Sequence, residues 1–394
     1  MNNQEAALKI PYGTRDFLPA EAADKRRVES AIAAAFAAWG YDEVVTPTIE
    51  YLDTLTMGSG AALEPHMFKL FDKDNRTLAL RHEMTTPIAR LAGSRLKEEK
   101  LPLRLSYISD VYRYEQAQAG RQCEFFQAGV ELMGSDDAAA DAEIIALAIN
   151  SATAAGLDDF TVCLGQVNYI RAVLQDIGLD DEGRRMVEKA MERHDLVGLE
   201  KIAASLNLSE TATEIIMELP VLHGGPELLA KAEALTDSEA ARTAVCNLKN
   251  IYALLEDYGV ADRVVFDLGV IRDFGYYTGM VFEAYAPGLG FPLAGGGRYD
   301  NLLSDFGRPC PATGFALGID RLMLAKERQG QGVARVARDV YVGYGQGKAS
   351  EAIRKTMELR AAGKTVLTGL RSETRAEAEA EAKAQLAEQL IYIE

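Results

Sequence analysis

Hydrophobic and polar positions alternate between residues 108 and 134, as they do in strands that bury one face. The alternation predicts one strand through Tyr112–Glu115 and a second through Glu124–Leu132. The polar residues Gln116–Gly120 would form the turn between them. We therefore expect a two-stranded hairpin in this segment.

Side chains with useful chemistry lie on this predicted hairpin. Residues two or four apart share one face of a strand, so Arg113, Gln127 and Glu131 would project from the same sheet surface. Arg121 would lie at the mouth of the loop. An arginine, an amide and a carboxylate suit a small zwitterionic ligand together with a phosphate. A solvated hairpin face with ordinary charges fits the local pattern equally well, so the pattern alone leaves both interpretations open.

Periodicity also predicts helices and strands on either side of the hairpin. Apolar residues recur on one side of the segment 21–39, which indicates an amphipathic helix that ends at Gly40. The other elements predicted before residue 170 are a helix at Asp136–Ala155 and strands at Glu43–Val45, Leu78–Leu80 and Phe160–Leu164.

The character of the chain changes between residues 172 and about 258, where the pattern predicts several consecutive helices without a catalytic cluster. Strands return at Val264–Leu268 and Tyr276–Glu283. The predicted breaks between the helices are Gly178, Asn207, Pro220 and the turn at 223–226.

A glycine-containing linker at Gln329–Gly332 separates residues 1–330 from a tail at 335–394, which predicts two domains. The tail alternates strands and helices in the order βαβαβ, and this order predicts a small parallel sheet. Its predicted strands are Val340–Val342, Thr365–Leu367 and Leu390–Ile393, and its predicted helices are Ala349–Ala362 and Glu373–Gln389.

Composition indicates a globular, cytoplasmic protein. The 394 residues are 48% hydrophobic and 26% charged, and they include neither a bilayer-length apolar run nor the apolar core of a signal peptide. The four cysteines lack CxxC spacing and the histidines lack metal-ligand spacing, so no metal site or disulfide framework is predicted. The net charge of −17 disfavours nucleic-acid binding, although it is compatible with a local basic patch.

Several motifs resemble class II aminoacyl-tRNA synthetases, in the form found in histidyl-tRNA synthetases. The hairpin sequence YRYEQAQAGRQCEFFQAGVELMG resembles their motif 2, and the whole match covers residues 10 to about 328. The other matching segments are Tyr12–Pro19 (N-terminal signature), Arg81–Thr85 (RPEGT segment), Leu293–Asp300 (histidine-specific Gly-rich segment) and Gly314–Leu322 (motif 3).

The resemblance implies an α+β fold: a class II synthetase-like antiparallel sheet flanked by helices, with a helical insertion at about 172–258. The tail at 335–394 resembles the start of the family's anticodon-binding domain and stops early, which implies a small truncated α/β domain. The helix at 21–39, the following strand and Pro47 have the layout of motif 1, which forms the dimer interface in the family. An ordinary surface helix packed on its own sheet is the alternative.

The resemblance also implies a site for free histidine, whose ammonium, carboxylate and imidazole groups must all be satisfied in one cleft. The implied assignments are Glu83 and Thr85 for the ammonium group, Arg113 and Gln127 for the carboxylate, Glu131 and Tyr277 for the imidazole nitrogens, and Tyr276 and Tyr299 as walls.

Three arginines extend this implied site. Arg272 aligns with the family's catalytic arginine, which contacts the amino-acid carboxylate and the α-phosphate, and Arg321 and Arg121 would contact phosphates. Without the family resemblance, Tyr276 and Tyr277 would be assigned to the core, and Glu131 would be assigned to a strand surface.

Departures from the family pattern argue against aminoacylation. Asp273 stands where the family has a glycine beside the catalytic arginine, and Gly275 stands where it has an aspartate. Gln116 and Ala117 replace the usual Arg-Pro of the motif 2 loop, and Cys123 replaces a frequent arginine. The tail is also short and the chain is acidic. A working synthetase would not be expected to show all of these departures together.

A subfamily with this profile is the histidyl-tRNA-synthetase-like regulatory subunits of ATP phosphoribosyltransferase, which act in the first step of histidine biosynthesis; RHEMTTPIAR and RDFGYYTGMVFE resemble it. The resemblance implies a non-catalytic chain without a cofactor. It also implies pairing with a short-form catalytic subunit, a dimer through motif 1, L-histidine as effector, and no tRNA or membrane contact. The alternatives are an active histidyl-tRNA synthetase and an unrelated histidine-binding or tRNA-mimicking factor.

Overall fold

The structure, a computed structural model, describes residues 8–59, 61–114, 122–193, 195–269, 276–331 and 337–394. The chain divides into two compact units, of which one consists mostly of Lys25–Gln331 and the other mostly of Gly332–Glu394. No helix within the described ranges is long and apolar enough to cross a membrane.

Helices and strands alternate along the first part of the chain. Up to residue 166 they are α1 (Pro19–Ala38), β1 (Asp42–Glu43), β2 (Ile49–Tyr51), α2 (Leu52–Ser59), β3 (Lys69–Phe71), β4 (Thr77–Leu80), α3 (Thr85–Ser94), β5 (Leu103–Tyr112), β6 (Glu124–Met133), α4 (Ala138–Ala154) and β7 (Thr161–Gln166).

Helices dominate the next part, and strands return after it. From residue 167 the elements are α5 (Val167–Asp176), α6 (Asp181–Glu192), α7 (Leu196–Ser205), α8 (Glu210–Glu218), β8 (His223–Gly224), α9 (Leu228–Ala234), α10 (Glu239–Asp257), β9 (Val264–Asp267), β10 (Met280–Tyr285), β11 (Ala294–Arg298), α11 (Leu302–Asp305), β12 (Ala312–Gly318) and α12 (Ile319–Arg328).

Nine strands form one large sheet within the described residues, in the order β1-β5-β6-β12-β11-β10-β7-β9-β8. Its central strands run antiparallel, whereas the β1–β5 and β7–β9 pairs are parallel. The back of the sheet is covered by α4, an apolar helix whose N-terminus is capped by the Asp137 side chain. The antiparallel centre with flanking helices agrees with the expected fold class.

The limits of several predicted elements are wrong. The helix predicted at 373–389 ends at Ala384, and the final strand begins at Ala387 instead of Leu390. The first hairpin strand is β5, which spans Leu103–Tyr112 instead of Tyr112–Glu115. Its residues pair one by one with β6 from Leu103 to Tyr112, and this pairing sets both of its ends. The strand predicted from Tyr276 begins only at Met280. The predicted turn at 116–120 lies outside the described residues.

The segment 172–258 is helical, as predicted. Aspartate or serine side chains cap the N-termini of α6, α7, α8 and α10, so each helix begins where the local sequence supplies an acceptor. One expectation differs, because His223–Gly224 is not a simple turn: it pairs antiparallel with Phe266 and Asp267 of β9.

The tail folds as β13 (Arg338–Tyr344), α13 (Ala349–Ala361), β14 (Val366–Thr368), α14 (Arg375–Ala384) and β15 (Ala387–Ile393). Its three described strands are parallel in the order β14-β13-β15, which confirms the predicted βαβαβ arrangement. Val340, Val342, Ala352 and Val366 form its core. Thr374 and Glu377 form a capping box that begins α14.

Candidate functional site

A cavity of about 450 Å³, here called the front pocket, lies on the face of the large sheet opposite α4. Strand β6 contributes Gln127 and Glu131, which are four residues apart and therefore share this face. The register places Glu131 opposite Gly314 of β12. A Cβ atom at Gly314 would lie 2.2 Å from Glu131 Oε2, so the glycine leaves the room that the carboxyl group occupies.

Glu131 is a buried carboxyl group, with 1% of its surface exposed. The Tyr299 hydroxyl donates a hydrogen bond to Glu131 Oε2, and the Thr85 side chain also bonds the carboxyl group. Burial, with a further contribution from Glu83, raises the pKa of Glu131 to about 8, although both hydrogen bonds oppose the shift. The group therefore lies near its protonation midpoint close to neutral pH, where a ligand can select either form.

Tyrosine rings form one wall of the front pocket. Tyr276 stacks on Tyr299 with ring centroids 5.3 Å apart and contacts Tyr277 edge to face at 5.0 Å. Burial raises the pKa of Tyr276 and Tyr299 well above the ordinary value, so both hydroxyls remain protonated hydrogen-bond donors. A Cβ atom at Gly297 would lie 2.9 Å from the Tyr277 ring, so the Gly-rich strand β11 makes room for this wall.

Glu83 and Arg113 contribute the other expected charged side chains of the front pocket. The Glu83 carboxylate accepts hydrogen bonds from the backbone N–H groups of Thr85 and Thr86, at 2.5 and 2.9 Å, and so orients the first turn of α3. Arg113 Nε donates to His82 O at 2.8 Å. The Arg113 guanidinium lies 5.5 Å from the Phe125 ring centre. Backbone hydrogen bonds thus fix the positions of the Glu83 carboxylate and the Arg113 guanidinium.

Gln127 offers an unused acceptor in the front pocket. Its side-chain Oε1 is buried and has no hydrogen-bond partner in the structure. A buried polar atom without a partner is unfavourable by roughly 1–3 kcal/mol, so a ligand N–H group that bonds it would recover that free energy.

Arg321 lines the front pocket but is already engaged. Its Nη1 atom donates to Pro292 O at 2.7 Å, and its guanidinium lies 5.0 Å from the Phe291 ring centre. The adjacent Asp320 carboxylate also lines the pocket and accepts from Phe126 N at 2.8 Å.

The structure brings most of the expected site residues together. Arg121 and Arg272 lie outside the described residues. Tyr107 was not predicted as a site residue, yet it lines the front pocket and pairs with Gly129 of β6. The predicted first strand began only at Tyr112, so no local signal pointed to Tyr107. The expected residues that line the front pocket are Glu83, Thr85, Arg113, Gln127, Glu131, Tyr276, Tyr277, Tyr299 and Arg321.

Within the part of the chain that the structure describes, no group of three or more His, Cys, Asp or Glu side chains is arranged to hold a metal ion. The described lining of the front pocket includes carboxyl, guanidinium, amide and hydroxyl groups, which suit a small polar ligand.

The fold and the pocket define a class II synthetase-like protein, and comparison with known proteins identifies the family. The histidyl-tRNA synthetase family model matches residues 13–322. The ATP phosphoribosyltransferase regulatory subunit from Moorella thermoacetica is 45% identical, over 94% of this chain and 94% of the relative. The one from Symbiobacterium thermophilum is 42% identical, over 93% of this chain and 92% of the relative.

A solved structure from Bacillus halodurans is also similar, and it is described as an ATP phosphoribosyltransferase regulatory subunit/histidyl-tRNA synthetase. It is 38% identical, covers 98% of both chains and has a TM-score of 0.88. The chain belongs to the histidyl-tRNA synthetase family and, within it, to the ATP phosphoribosyltransferase regulatory subunits.

Proposed function

We propose that this chain regulates a short-form ATP phosphoribosyltransferase catalytic subunit and that L-histidine, bound in the front pocket, is its effector. The observation that carries the proposal is the convergence of Glu83, Arg113, Gln127, Glu131 and Tyr277 in one cavity of about 450 Å³. The relatives' names supply the partner.

The pocket residues match the groups of histidine. The Glu83 carboxylate suits the ammonium group, and the Arg113 guanidinium suits the carboxylate. The buried Glu131 and the Tyr277 hydroxyl suit the imidazole ring, because a carboxyl group and a phenol together select one tautomer. Four or five bonds of roughly 1.5–3 kcal/mol each are enough for micromolar affinity after ordering costs.

The chain would act without catalysing aminoacylation. Adenylate formation needs positive charge for the ATP phosphates, yet Gln116 and Ala117 stand where the family usually has Arg-Pro, and Cys123 stands where it often has arginine. Asp273 adds a negative charge next to the implied catalytic position. Phosphoribosyl transfer would belong to the partner subunit.

Regulation then requires that histidine bind one state of the mixed oligomer more tightly than the other. A coupling of roughly 1–3 kcal/mol would make histidine affinity differ about 5- to 150-fold between the two states. Self-association is part of the proposal. Val45, which follows β1, and Ile49 and Tyr51 of β2 expose 83%, 44% and 45% of their surfaces, which a partner copy could cover.

The test combines three assays on the purified full-length chain. Calorimetry should show histidine binding, and ATP–pyrophosphate exchange and tRNA charging should be absent. Mixed with a short-form catalytic subunit, the chain should raise phosphoribosyl transfer to ATP and make it sensitive to histidine.

Two outcomes would contradict the proposal. Clear histidine-dependent ATP–pyrophosphate exchange would support an active histidyl-tRNA synthetase, which is the activity in the matching family's description. A catalytic subunit that is equally active and equally histidine-sensitive without this chain would exclude the regulatory role.

A further inference from the structure

Glu131 differs from the other charged side chains of the front pocket, because its hydrogen-bond partners are neutral hydroxyl groups. Tyr299 and the Thr85 side chain bond the carboxyl group. The two oxygens of a carboxyl group offer about four lone-pair positions, so these two bonds leave positions at which a ligand can bond. Only 1% of Glu131 is exposed, so water contributes little to its solvation.

The titratable groups that surround Glu131 are one carboxylate and four phenols. They are Glu83 before α3, Tyr107 of β5, Tyr276 and Tyr277 before β10, and Tyr299 after β11. Burial raises the pKa of Tyr107, Tyr276 and Tyr299 well above the ordinary value, so these hydroxyls stay neutral. On its other side, β12 places Gly314 opposite Glu131 and adds no charge. None of the described groups that most affect the Glu131 carboxyl is positively charged.

Two basic side chains lie near Glu83. Arg113 Nε donates to His82 O at 2.8 Å, and the proposed function assigns the Arg113 guanidinium to the ligand carboxylate. The His82 ring is buried, and burial lowers its pKa although Glu83 opposes the shift, so the ring is neutral near physiological pH. Glu131 therefore meets the imidazole ring of the ligand with hydroxyl groups as its protein partners.

The number of protons in the complex follows from this environment. A buried carboxylate without a counter-charge is unfavourable, and a ligand that displaces water from the pocket makes it more so. Two arrangements avoid such a charge. In one, protonated Glu131 donates to the unprotonated ring nitrogen, and in the other, the carboxylate accepts from an imidazolium ring. Both contain one proton more than a carboxylate beside a neutral ring.

We propose that Glu131 and the imidazole ring of bound histidine hold one titratable proton between them, so that loss of this proton releases histidine from the front pocket. The shared proton rests on the proposed function, because it requires histidine in the front pocket. It would make the histidine response of the regulated enzyme depend on pH.

Histidine affinity should accordingly be nearly constant around neutral pH and fall on either side. The pKa of Glu131 is about 8 and that of a free imidazole is about 6.5, so the separated partners together hold about one proton near pH ~7. At higher pH both have lost it, and binding must take up a proton. At lower pH both are protonated, and binding must release a proton.

The experiment is calorimetry of the full-length chain with L-histidine at pH ~7 and pH ~9, each in two buffers with different heats of ionisation, which counts the protons exchanged on binding. Net exchange should be close to zero at pH ~7. At pH ~9 binding should take up about one proton, and affinity should be about 10-fold weaker than at pH ~7.

Glu131→Gln separates this proton from those of the ligand. The α-amino group of histidine also titrates at alkaline pH, and it does so equally in both proteins. The natural chain should therefore take up about one proton more than Glu131→Gln at pH ~9, and only the natural chain should show the 10-fold loss of affinity attributed to Glu131.

Two further variants complete the design. Tyr299→Phe keeps the carboxyl group and removes a bond that favours the carboxylate, so its alkaline loss of affinity should move to higher pH. It serves if Glu131→Gln does not fold. Glu358→Gln is the matched control, because Glu358 is an exposed carboxylate of α13, and it should reproduce the pH profile of the natural chain.

The outcomes separate this inference from the proposed function. Release of about one proton at pH ~7 would show that a carboxylate binds a neutral ring, which overturns the shared proton and leaves histidine binding intact. An alkaline profile that is the same in the natural chain, Glu131→Gln and Tyr299→Phe would also overturn it, because another group would carry the proton. Absence of histidine binding at every pH would reject the proposed function itself, and the shared proton with it.

Discussion

Each face of the large sheet buries a carboxyl group, and the two are satisfied differently. On the back face, Asp141 pairs with the Arg298 guanidinium at 2.8 Å. On the front face, Glu131 has the neutral Tyr299 hydroxyl and the Thr85 side chain as hydrogen-bond partners. In the back-face pair the Asp141 carboxylate has the Arg298 guanidinium as its counter-charge, so it needs no ligand. The group on the front can still exchange a proton or accept a ligand, so the comparison separates a structural ion pair from a binding group.

Burial raises the pKa of both carboxyl groups, and the difference lies in what opposes it. At Asp141 the Arg298 guanidinium opposes the rise in pKa, and the Asp141 carboxylate in turn raises the pKa of Arg298 against the effect of burial, so this guanidinium remains charged. The pKa of Glu131 rises to about 8, because burial outweighs its hydrogen bonds. A buried carboxyl without a counter-charge is expected to titrate, whereas a buried ion pair is expected to persist.

The largest expected effect comes from breaking the back-face pair. Arg298→Met should lower the free energy of unfolding by about 3–5 kcal/mol, because it leaves Asp141 buried without its counter-charge. Chemical denaturation monitored by circular dichroism measures the change. The control is Arg298→Met combined with Asp141→Leu, which should recover most of the stability because no buried charge is left unpaired: Asp300, which also pairs with Arg298 at 3.2 Å, is 34% exposed. A loss below about 1 kcal/mol in the single variant would show that the pair is not buried as described.

The next prediction concerns the pH dependence that Glu131 contributes. Its folded-state pKa of about 8 exceeds the unfolded value, so the folded chain holds one more proton in the window between them. Stability contributed by the protonated form is therefore present below the unfolded pKa and is lost as pH rises through about 8.

Glu131→Gln should remove this dependence. Its stability relative to the natural chain should increase with pH by up to about 1.4 kcal/mol per unit between pH ~5 and ~8. Thermal unfolding without histidine, measured across that range, is the test. Parallel stability curves for the two proteins would mean that Glu131 is already ionised in the folded state.

A smaller effect is expected on ligand affinity. Glu131→Ala should weaken histidine binding by about 1.5–3 kcal/mol, since it removes one bond to the imidazole ring. The side chain is buried, so a stability loss accompanies this change, and calorimetry must be run well below the melting temperature. Glu358→Gln is the control, because Glu358 is an exposed carboxylate of α13 that pairs with Lys355. Unchanged histidine affinity in a folded Glu131→Ala variant would place the imidazole elsewhere.

The smallest predicted change tests the phenol itself. Tyr299→Phe removes the hydroxyl that donates to Glu131 and should alter histidine affinity by about 1 kcal/mol, while ring stacking on Tyr276 is retained. Loss of a bond that favours the carboxylate should also raise the pKa of Glu131 further. The pH range over which Glu131 affects stability would then move upward. An identical pH profile would show that the hydroxyl does not support this carboxyl group.

Local patterns were sufficient for much of the fold. The βαβαβ tail and the helical segment 172–258 were predicted because helix caps and apolar periodicity act over a few residues. The strand ends at Tyr112 and Met280 were missed, since pairing with β6 and with β7 determines them. Met280 pairs with Gln166, which lies far earlier in the chain, and no local pattern reports that contact.

The sequence by itself determined the family and supplied the chemistry of the front pocket, because the motifs carrying Glu83, Gln127, Glu131 and Tyr277 are short and contiguous. Only the tertiary structure decided the environment of these groups. The strand register puts Glu131 against Gly314, and the chain path brings Tyr299 to it, so a carboxyl that sequence reasoning would assign to a surface strand becomes 1% exposed. Burial depends on neighbours contributed by distant segments, and burial sets both the pKa and the strength of each polar contact.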